Sequence, residues 1–321
     1  MSFSKEVKKE ILNNGFKSEK SSLAFLCGLA SSSAEYKIQD DNVCDFYFST
    51  DLSFLFETIN NLISSRYISD AVTMDENFKI GQTQYYKIEI KKDIAKQLLL
   101  DTKILIENNG KLITSENFDY NIIENEDGLK GFTSGVFLGC GTSSIRIDEN
   151  GRTTTGYHIE FSSKNYSLLH EISNIMAQFD ILAKLTKRKN LYVLYVKDAE
   201  EVSNVLALMG ASDAVLKLQN EIVTRQVRNK VNRQNNCYVS NYSKTLNASF
   251  NQLEAIKVLD ENVGLYNLPE DIQEVALLRL ANTEESLEEL LKLTKHPMTK
   301  SALNHRFQKI LKLAKKIKGN K

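Results

Sequence analysis

The residues of this chain best suited to chemistry lie near its C-terminal end, between Lys300 and Lys318. On a helix that turns about 100° per residue, Leu303, Phe307, Ile310, Ala314 and Ile317 fall within about 80° of one another and predict a buried stripe. Ser301, Asn304, His305, Gln308, Lys309, Lys312 and Lys316 cover the opposite side, with Lys300 and Arg306 beside them. Amides and imidazoles can reach base edges in a major groove, and ammonium or guanidinium groups neutralise phosphates. A helix that is only soluble would normally carry Glu among its lysines. Between Lys292 and Lys321 there are ten Lys/Arg and no acid. These nine residues, Lys300, Ser301, Asn304, His305, Arg306, Gln308, Lys309, Lys312 and Lys316, form the expected DNA-recognition set.

A second basic run lies between Lys217 and Lys244, where six Lys/Arg face only Glu221. Arg225, Arg228, Lys230 and Arg233 sit there among polar residues. One reading is a helix laid along a phosphate backbone, adding affinity without sequence information. The other is a solvated linker helix. The two runs give Lys217–Lys321 18 Lys/Arg against 11 Asp/Glu, a net +7. The first 216 residues therefore carry −7 in a chain of formal net charge zero. Basic stretches of this kind point to a polyanion partner, most often nucleic acid.

Other chemistry is not evident. Gly139-Cys140-Gly141-Thr142-Ser143 lacks the Gly-Lys-Ser/Thr that a phosphate loop needs. His158 and His170 have no shared metal spacing, and Cys237 has no visible activating partner, so a buried structural cysteine is expected there. No Ser/His/Asp order and no paired carboxylates stand out. The expectation is no enzyme, no cofactor, no metal and no small-molecule substrate.

Composition sets the class. At 321 residues with 42% hydrophobic content, two or three domains with sizeable cores are expected. No window approaches 18 uninterrupted apolar residues, and Met1–Glu10 lacks the apolar stretch of a secretory signal. Four scattered cysteines without a CxxC pair argue against a disulfide scaffold. A soluble protein of a reducing cytoplasm, associated with the nucleoid and not with a membrane, is expected.

The elements that must position these residues fall into two textures. The first two-thirds reads as a duplicated α+β unit, αββαββα twice. Ser21–Ala34 is a small-residue helix, Val43–Phe48 a strand, Leu52–Ser65 a helix, Tyr85–Ile90 a strand and Asp93–Leu100 a helix. The order recurs with a small-residue helix over Phe132–Ser144 and a hairpin of Ser144–Asp148 and Tyr157–Ser162 around Asn150-Gly151. A helix over Tyr166–Gln178, a strand over Leu191–Val196 and a helix over Ala199–Met209 complete it. Gly28 and Gly135 are 107 residues apart and Tyr86 and Tyr192 are 106 apart, so the spacing is nearly kept.

Past Gly210 every pattern is helical. Lys217–Asn232 reads as a basic helix, and Ser249–Asp260 as an amphipathic one with Phe250, Leu253, Ile256 and Leu259 inward. Pro269 starts a helix through Ile272, Val275, Ala276 and Leu280. Ser286-Leu287-Glu288-Glu289 has capping-box spacing and opens a short helix to about Leu293. Thr299 or its neighbour then caps the last helix. Three helices, the second short and the third basic, describe a helix-turn-helix with a widened turn. The expected domains are 1–122 and 123–216 for the two halves, 217–247 for the basic connecting helix and linker, and 248–321 for the DNA-binding domain.

Leu26-Cys27-Gly28-Leu29-Ala30-Ser31-Ser32-Ser33 and Thr133-Ser134-Gly135-Val136-Phe137-Leu138-Gly139-Cys140-Gly141 resemble the LAGLIDADG motif of homing endonucleases. In that family two such helices pack together, and an acidic residue near the end of each binds the metal for phosphodiester cleavage. The matching positions here are Ser33 and Cys140, neither of which offers a carboxylate. The resemblance implies the architecture without the nuclease. A residual nuclease or nicking enzyme would need carboxylates from elsewhere, and an interaction scaffold with an incidental basic tail is a third reading.

Across nearly its whole length the chain resembles the WhiA family of bacterial DNA-binding proteins. The resemblance rests on Met1-Ser2-Phe3-Ser4 with Glu6 and Lys8-Lys9-Glu10. In the centre it rests on Arg228-Asn229, Asn232-Arg233, Asn236-Cys237, Asn241, Lys244-Thr245, Ala248 and Gln252. At the C-terminal end it rests on Leu268-Pro269, Glu274-Val275-Ala276, Arg279-Leu280, Ser286–Leu290, Lys300-Ser301 and Asn304-His305-Arg306. It implies a degenerate homing-endonuclease-like domain followed by a helix-turn-helix similar to region four of sigma factors. It also implies roles in sporulation-linked transcription or in cell division and chromosome segregation. Double-stranded DNA is the implied partner, with transcription or division proteins as further candidates.

Overall fold

The computed structural model describes residues 2–68, 70–80, 83–115, 118–144 and 156–319. They fold as two compact units, Met1–Arg225 and Gln226–Lys321. In the first unit α1 (Phe3–Asn14) precedes two copies of one pattern. The first copy is α2 (Glu19–Ser33), β1 (Ala34–Gln39), β2 (Asn42–Thr50), α3 (Leu55–Arg66), β3 (Val72–Ile80), β4 (Thr83–Ile90) and α4 (Lys92–Asp101). A small hairpin follows, β5 (Leu105–Asn108) with β6 (Lys111–Thr114). The second copy is α5 (Glu126–Cys140), β7 (Gly141–Ser144), β8 (His158–Ser163), α6 (Tyr166–Ala177), β9 (Lys184–Arg188), β10 (Leu191–Val196) and α7 (Ala199–Leu208). Both antiparallel sheets have the same strand order, β1-β2-β4-β3 and β7-β8-β10-β9. The αββαββα duplication is therefore present in connectivity as well as spacing.

The two copies meet at their glycines. A Cβ built on Gly28 would lie 2.2 Å from the Phe132 carbonyl oxygen, and one on Gly135 would lie 2.2 Å from that of Phe25. No side chain fits between backbones this close, so both positions require glycine. The approaches step forward together along α2 and α5, from Ser21 with Gly131 to Ser32 with Gly139, so the helices run side by side in the same direction. Phe25, Leu29, Phe132 and Val136, all fully buried, fill the core around this seam. Burial of such side chains contributes about 1.5–3 kcal/mol each.

The largest boundary departures from expectation in this unit are at the two ends of α5. α5 begins at Glu126, where the Asn125 side chain accepts from Gly128 N at 2.8 Å, and it ends at Cys140. Gly141–Ser144, expected to end that helix, forms β7 instead, because its backbone pairs with Phe161–His158 across the sheet. The Asn150-Gly151 turn and the strand expected beyond Ser144 lie outside the described residues.

The region expected to hold two helices, Lys217–Asn232 and Ser249–Asp260, is one 51-residue helix, α8 (Ser212–Asn262). It contains neither proline nor glycine, and it stops where Gly264, at φ 78°, donates its N–H to the Leu259 and Asp260 carbonyls. The C-terminal part of α8 packs with α9 (Glu270–Ala281), α10 (Leu287–Lys292) and α11 (Lys300–Gly319). Their core is Ala255, Ile256, Leu259, Leu265, Ile272, Val275, Ala276, Leu290, Leu303, Phe307, Ile310 and Ala314. Phe250 and Leu280 are 68% and 44% exposed, against expectation. Phe250 lies about 120° around the helix from Ile256, and the inward place near Leu280 is taken by Arg279.

Candidate nucleic-acid interface

The outward face of α11 is held in place by a buried cation. Arg279, only 2% exposed, donates from Nε to Gln252 Oε1 at 2.9 Å. Its Nη1 donates to the carbonyls of Asn282 at 3.1 Å and Glu285 at 2.7 Å, and its guanidinium lies 5.4 Å from the Phe307 ring centroid. One side chain thereby fixes the α9–α10 turn to α8 and α11. Burial pushes the Arg279 pKa down, while Glu285 acts against that shift. Next along the chain, Ser286 Oγ accepts from Glu289 N and the Glu289 carboxylate accepts from Ser286 N at 2.7 Å, the expected capping box.

The widened turn, residues 293–299, is tied down from α9. Glu274 Oε1 accepts from Lys295 N at 3.1 Å. Arg306 reaches Asp271 and Glu274, each at 3.8 Å. Thr299 Oγ1 accepts from Ala302 N at 3.2 Å and starts α11. Of the nine residues expected to read DNA, Lys300, Ser301, Asn304, His305, Gln308, Lys309, Lys312 and Lys316 are exposed on one continuous face. Arg306 is half-buried against α9. Its position, about 60° from Leu303, borders the core stripe. Lys300 pairs with Glu288 at 2.6 Å, and that hydrogen bond holds the Glu288 carboxyl below its ordinary pKa. Lys315, outside the expected set, is exposed on the same face between Asn304 and Gln308 in projection.

On α8, Arg228, Lys230 and Arg233 are exposed, and Arg233 Nε donates to the Asn229 carbonyl at 3.2 Å. Arg225 is half-buried, with its guanidinium 5.9 Å from the Tyr157 ring centroid. Cys237 is exposed, not buried as expected, because the turns around it bury nothing.

The ends of α2 and α5 hold the positions at which the LAGLIDADG resemblance places metal ligands. Ser32 Oγ donates to the Gly28 carbonyl at 2.8 Å and Ser33 Oγ to that of Leu29 at 2.9 Å, so both hydroxyls turn back into their own helix. Burial pushes the Cys140 thiol up to about 12, against the opposing effect of Lys8. The Lys8 ammonium donates to the Leu138 carbonyl at 3.2 Å, near the end of α5. Burial lowers its pKa to about 8, with Asp51 and Cys140 acting in the other direction. A neutral thiol, a hydroxyl already engaged and a resident ammonium do not fit a divalent cation. Among the described residues no three His, Cys, Asp or Glu side chains converge as metal ligands.

A further basic cluster was not foreseen from the sequence. On the second sheet Arg188 and Lys197 lie 5.6 Å and 4.8 Å from the Tyr195 ring centroid, beside Lys184 across the β9–β10 ladder. The sequence shows four bases between Lys184 and Lys189, but not which of them share a face with Tyr195. Among the described residues no helix is long and apolar enough to cross a membrane.

Comparison with known proteins gives the same two-part division of similarity. Residues 231–314 match the WhiA C-terminal HTH domain, and residues 129–228 match the WhiA LAGLIDADG-like domain. The chain is 31% identical over 320 residues to a probable cell division protein WhiA from Clostridium acetobutylicum, covering 99% of each. It is 34% identical over 320 residues to one from Thermoanaerobacter pseudethanolicus, covering 99% of this chain and 98% of the relative. The crystal structure of full-length WhiA from Thermatoga maritima is similar in fold, with a TM-score of 0.58 at 24% identity, over 98% of this chain and 99% of that one.

Proposed function

The chain belongs to the WhiA family, and from that premise we propose that it is a non-enzymatic, double-stranded DNA-binding protein acting in cell division. In this reading α11 enters a major groove. Asn304, His305, Gln308 and Ser301 reach bases, while Lys300, Lys309, Lys312 and Lys316 meet phosphates and Arg306 holds the helix in place. Arg225, Arg228, Lys230 and Arg233 add backbone contacts from the connecting helix. Residues 1–122 and 123–216 are the two LAGLIDADG-like halves, 217–247 the connector and 248–321 the DNA-binding domain. The protein works on the nucleoid in the cytoplasm, where its DNA binding serves chromosome segregation and transcription, with division or transcription proteins as partners.

What carries this reading is the acid-free, exposed polar face of α11, whose opposite side builds the core of its domain. Loss of cleavage is supported by the misfit of Ser33, Cys140 and Lys8 to a metal. The experiment is fluorescence anisotropy of the full chain with random and footprint-selected duplexes. Tighter binding to the selected duplex, weakening with salt for both, is the expected result. Failure to bind either duplex at low salt contradicts the reading.

A further inference from the structure

Residues 226–244 of α8 are exposed on every side of the helix. The run holds five asparagines, three valines, two serines, the four bases Arg228, Lys230, Arg233 and Lys244, and no acid. Helices in proteins are stabilised mostly by packing an apolar face, and this stretch packs none. Asn, Ser, Val and Tyr are weak helix formers. Without Glu or Asp inside the run, no acid–base pair can form within it one turn apart, and Lys230 and Arg233, three residues apart, repel each other. Aromatic support is local, from the Tyr238 and Tyr242 rings stacked 6.3 Å apart.

The flanks are different. Leu218 is fully buried before the stretch and Ile256 after it. Both ends of α8 are therefore nucleated, and the middle needs only to propagate through weak formers. The run itself supplies no counter-charge. On the helix Lys230, Arg233 and Lys244 fall within an arc of about 60°, a spacing suited to a row of phosphates. Phosphates would remove the repulsion between the bases and release condensed counterions.

We propose that the helical turns of 226–244, formed in the structure, are marginal in the free chain and are held closed by the phosphate backbone of double-stranded DNA, so that ordering of this stretch and DNA binding are coupled. The proposal rests on the DNA-binding reading above and adds that the connecting stretch is completed by the DNA itself. The uniform positive charge selects a polyanion, and DNA is the polyanion that α11 brings within reach.

The test is hydrogen exchange by mass spectrometry on the full chain, alone and with a random-sequence duplex at low salt, with binding followed by anisotropy in the same samples. Amides of 228–242 are expected to exchange rapidly in the free protein and to slow by roughly 100-fold with DNA, with a matching gain in far-ultraviolet circular dichroism. The triple variant Lys230→Gln, Arg233→Gln, Lys244→Gln is expected to lose this gain while Leu303 and Phe307 amides stay protected. Equal protection with and without DNA overturns the proposal. So does rapid exchange in the stretch while anisotropy reports full binding, and so does protection by polyglutamate but not by DNA. Absence of any DNA binding is a separate result that removes the DNA reading together with this proposal.

Discussion

Asn304 and Gln308 offer amides where Lys312 offers only charge, and the three should fail differently. Asn304→Ala or Gln308→Ala is expected to cost about 1–3 kcal/mol of discrimination between the selected duplex and its base-pair variants. Lys312→Ala is expected to weaken all duplexes by a similar factor. Footprinting and competition binding measure both, and unchanged affinity and preference in all three variants contradict the assignment of this face. The face was legible because a helix without acids is unusual and the 3.6-residue period places each side chain. The inward course of Arg306 was not legible, since a sequence gives a cation the same standing in water as between Asp271 and Glu274. Arg279, hydrogen-bonded in the core, was hidden for the same reason.

Lys8 ties stability to pH with a defined sign. Its pKa in the folded protein, about 8, lies below the ordinary 10.5. Below pH 8 the amine is protonated in both folded and unfolded chains, and the native state carries the full cost of the buried charge. Between pH 8 and 10.5 the native state gives up the proton first, so this group makes stability rise with pH. Lys8→Met removes that contribution. Urea unfolding across this range is expected to give a more positive slope of stability against pH for the parent than for Lys8→Met. Identical slopes contradict the burial of a lysine whose proton the fold disfavours.

Among the helices and strands, the seam between α2 and α5 leaves the least freedom. Gly135→Ala would drive a methyl group to 2.2 Å from a backbone oxygen that cannot move without its helix. We expect it to cost about 3 kcal/mol, whereas Gly156→Ala, with nothing within 4 Å, should stay within about 0.5 kcal/mol of the parent. Chemical denaturation of both variants checks the difference. Equal stability would mean that the helices do not approach at Gly135. This seam was readable from the glycine spacing. Strands β1, β3 and β9 were not, because sequences such as Lys184-Leu185-Thr186-Lys187-Arg188 carry too few apolar residues to show alternation. The continuity of α8 was also unreadable: the basic pattern over Lys217–Asn232 and the amphipathic one over Ser249–Asp260 read as two helices, while the exposed turns between them have no apolar period to link them.

Across the full chain, zero net charge divides into −7 before Lys217 and +7 from Lys217 onward. Affinity for DNA should therefore reside in the second part. With magnesium or manganese present, purified protein is expected to leave supercoiled plasmid intact while binding it. Metal-dependent nicking that followed the protein peak through re-purification would restore the nuclease reading. The sharpest check on DNA recognition by α11 is the slope of log affinity against log salt for the full chain and for the triple variant Lys309→Gln, Lys312→Gln, Lys316→Gln. Removing one lysine–phosphate pairing should reduce the steepness by about 0.9. With all three removed, the expected slope is shallower by about 2.7, with the fold unchanged by circular dichroism. An unaltered slope and affinity in the variant would contradict DNA recognition by this face.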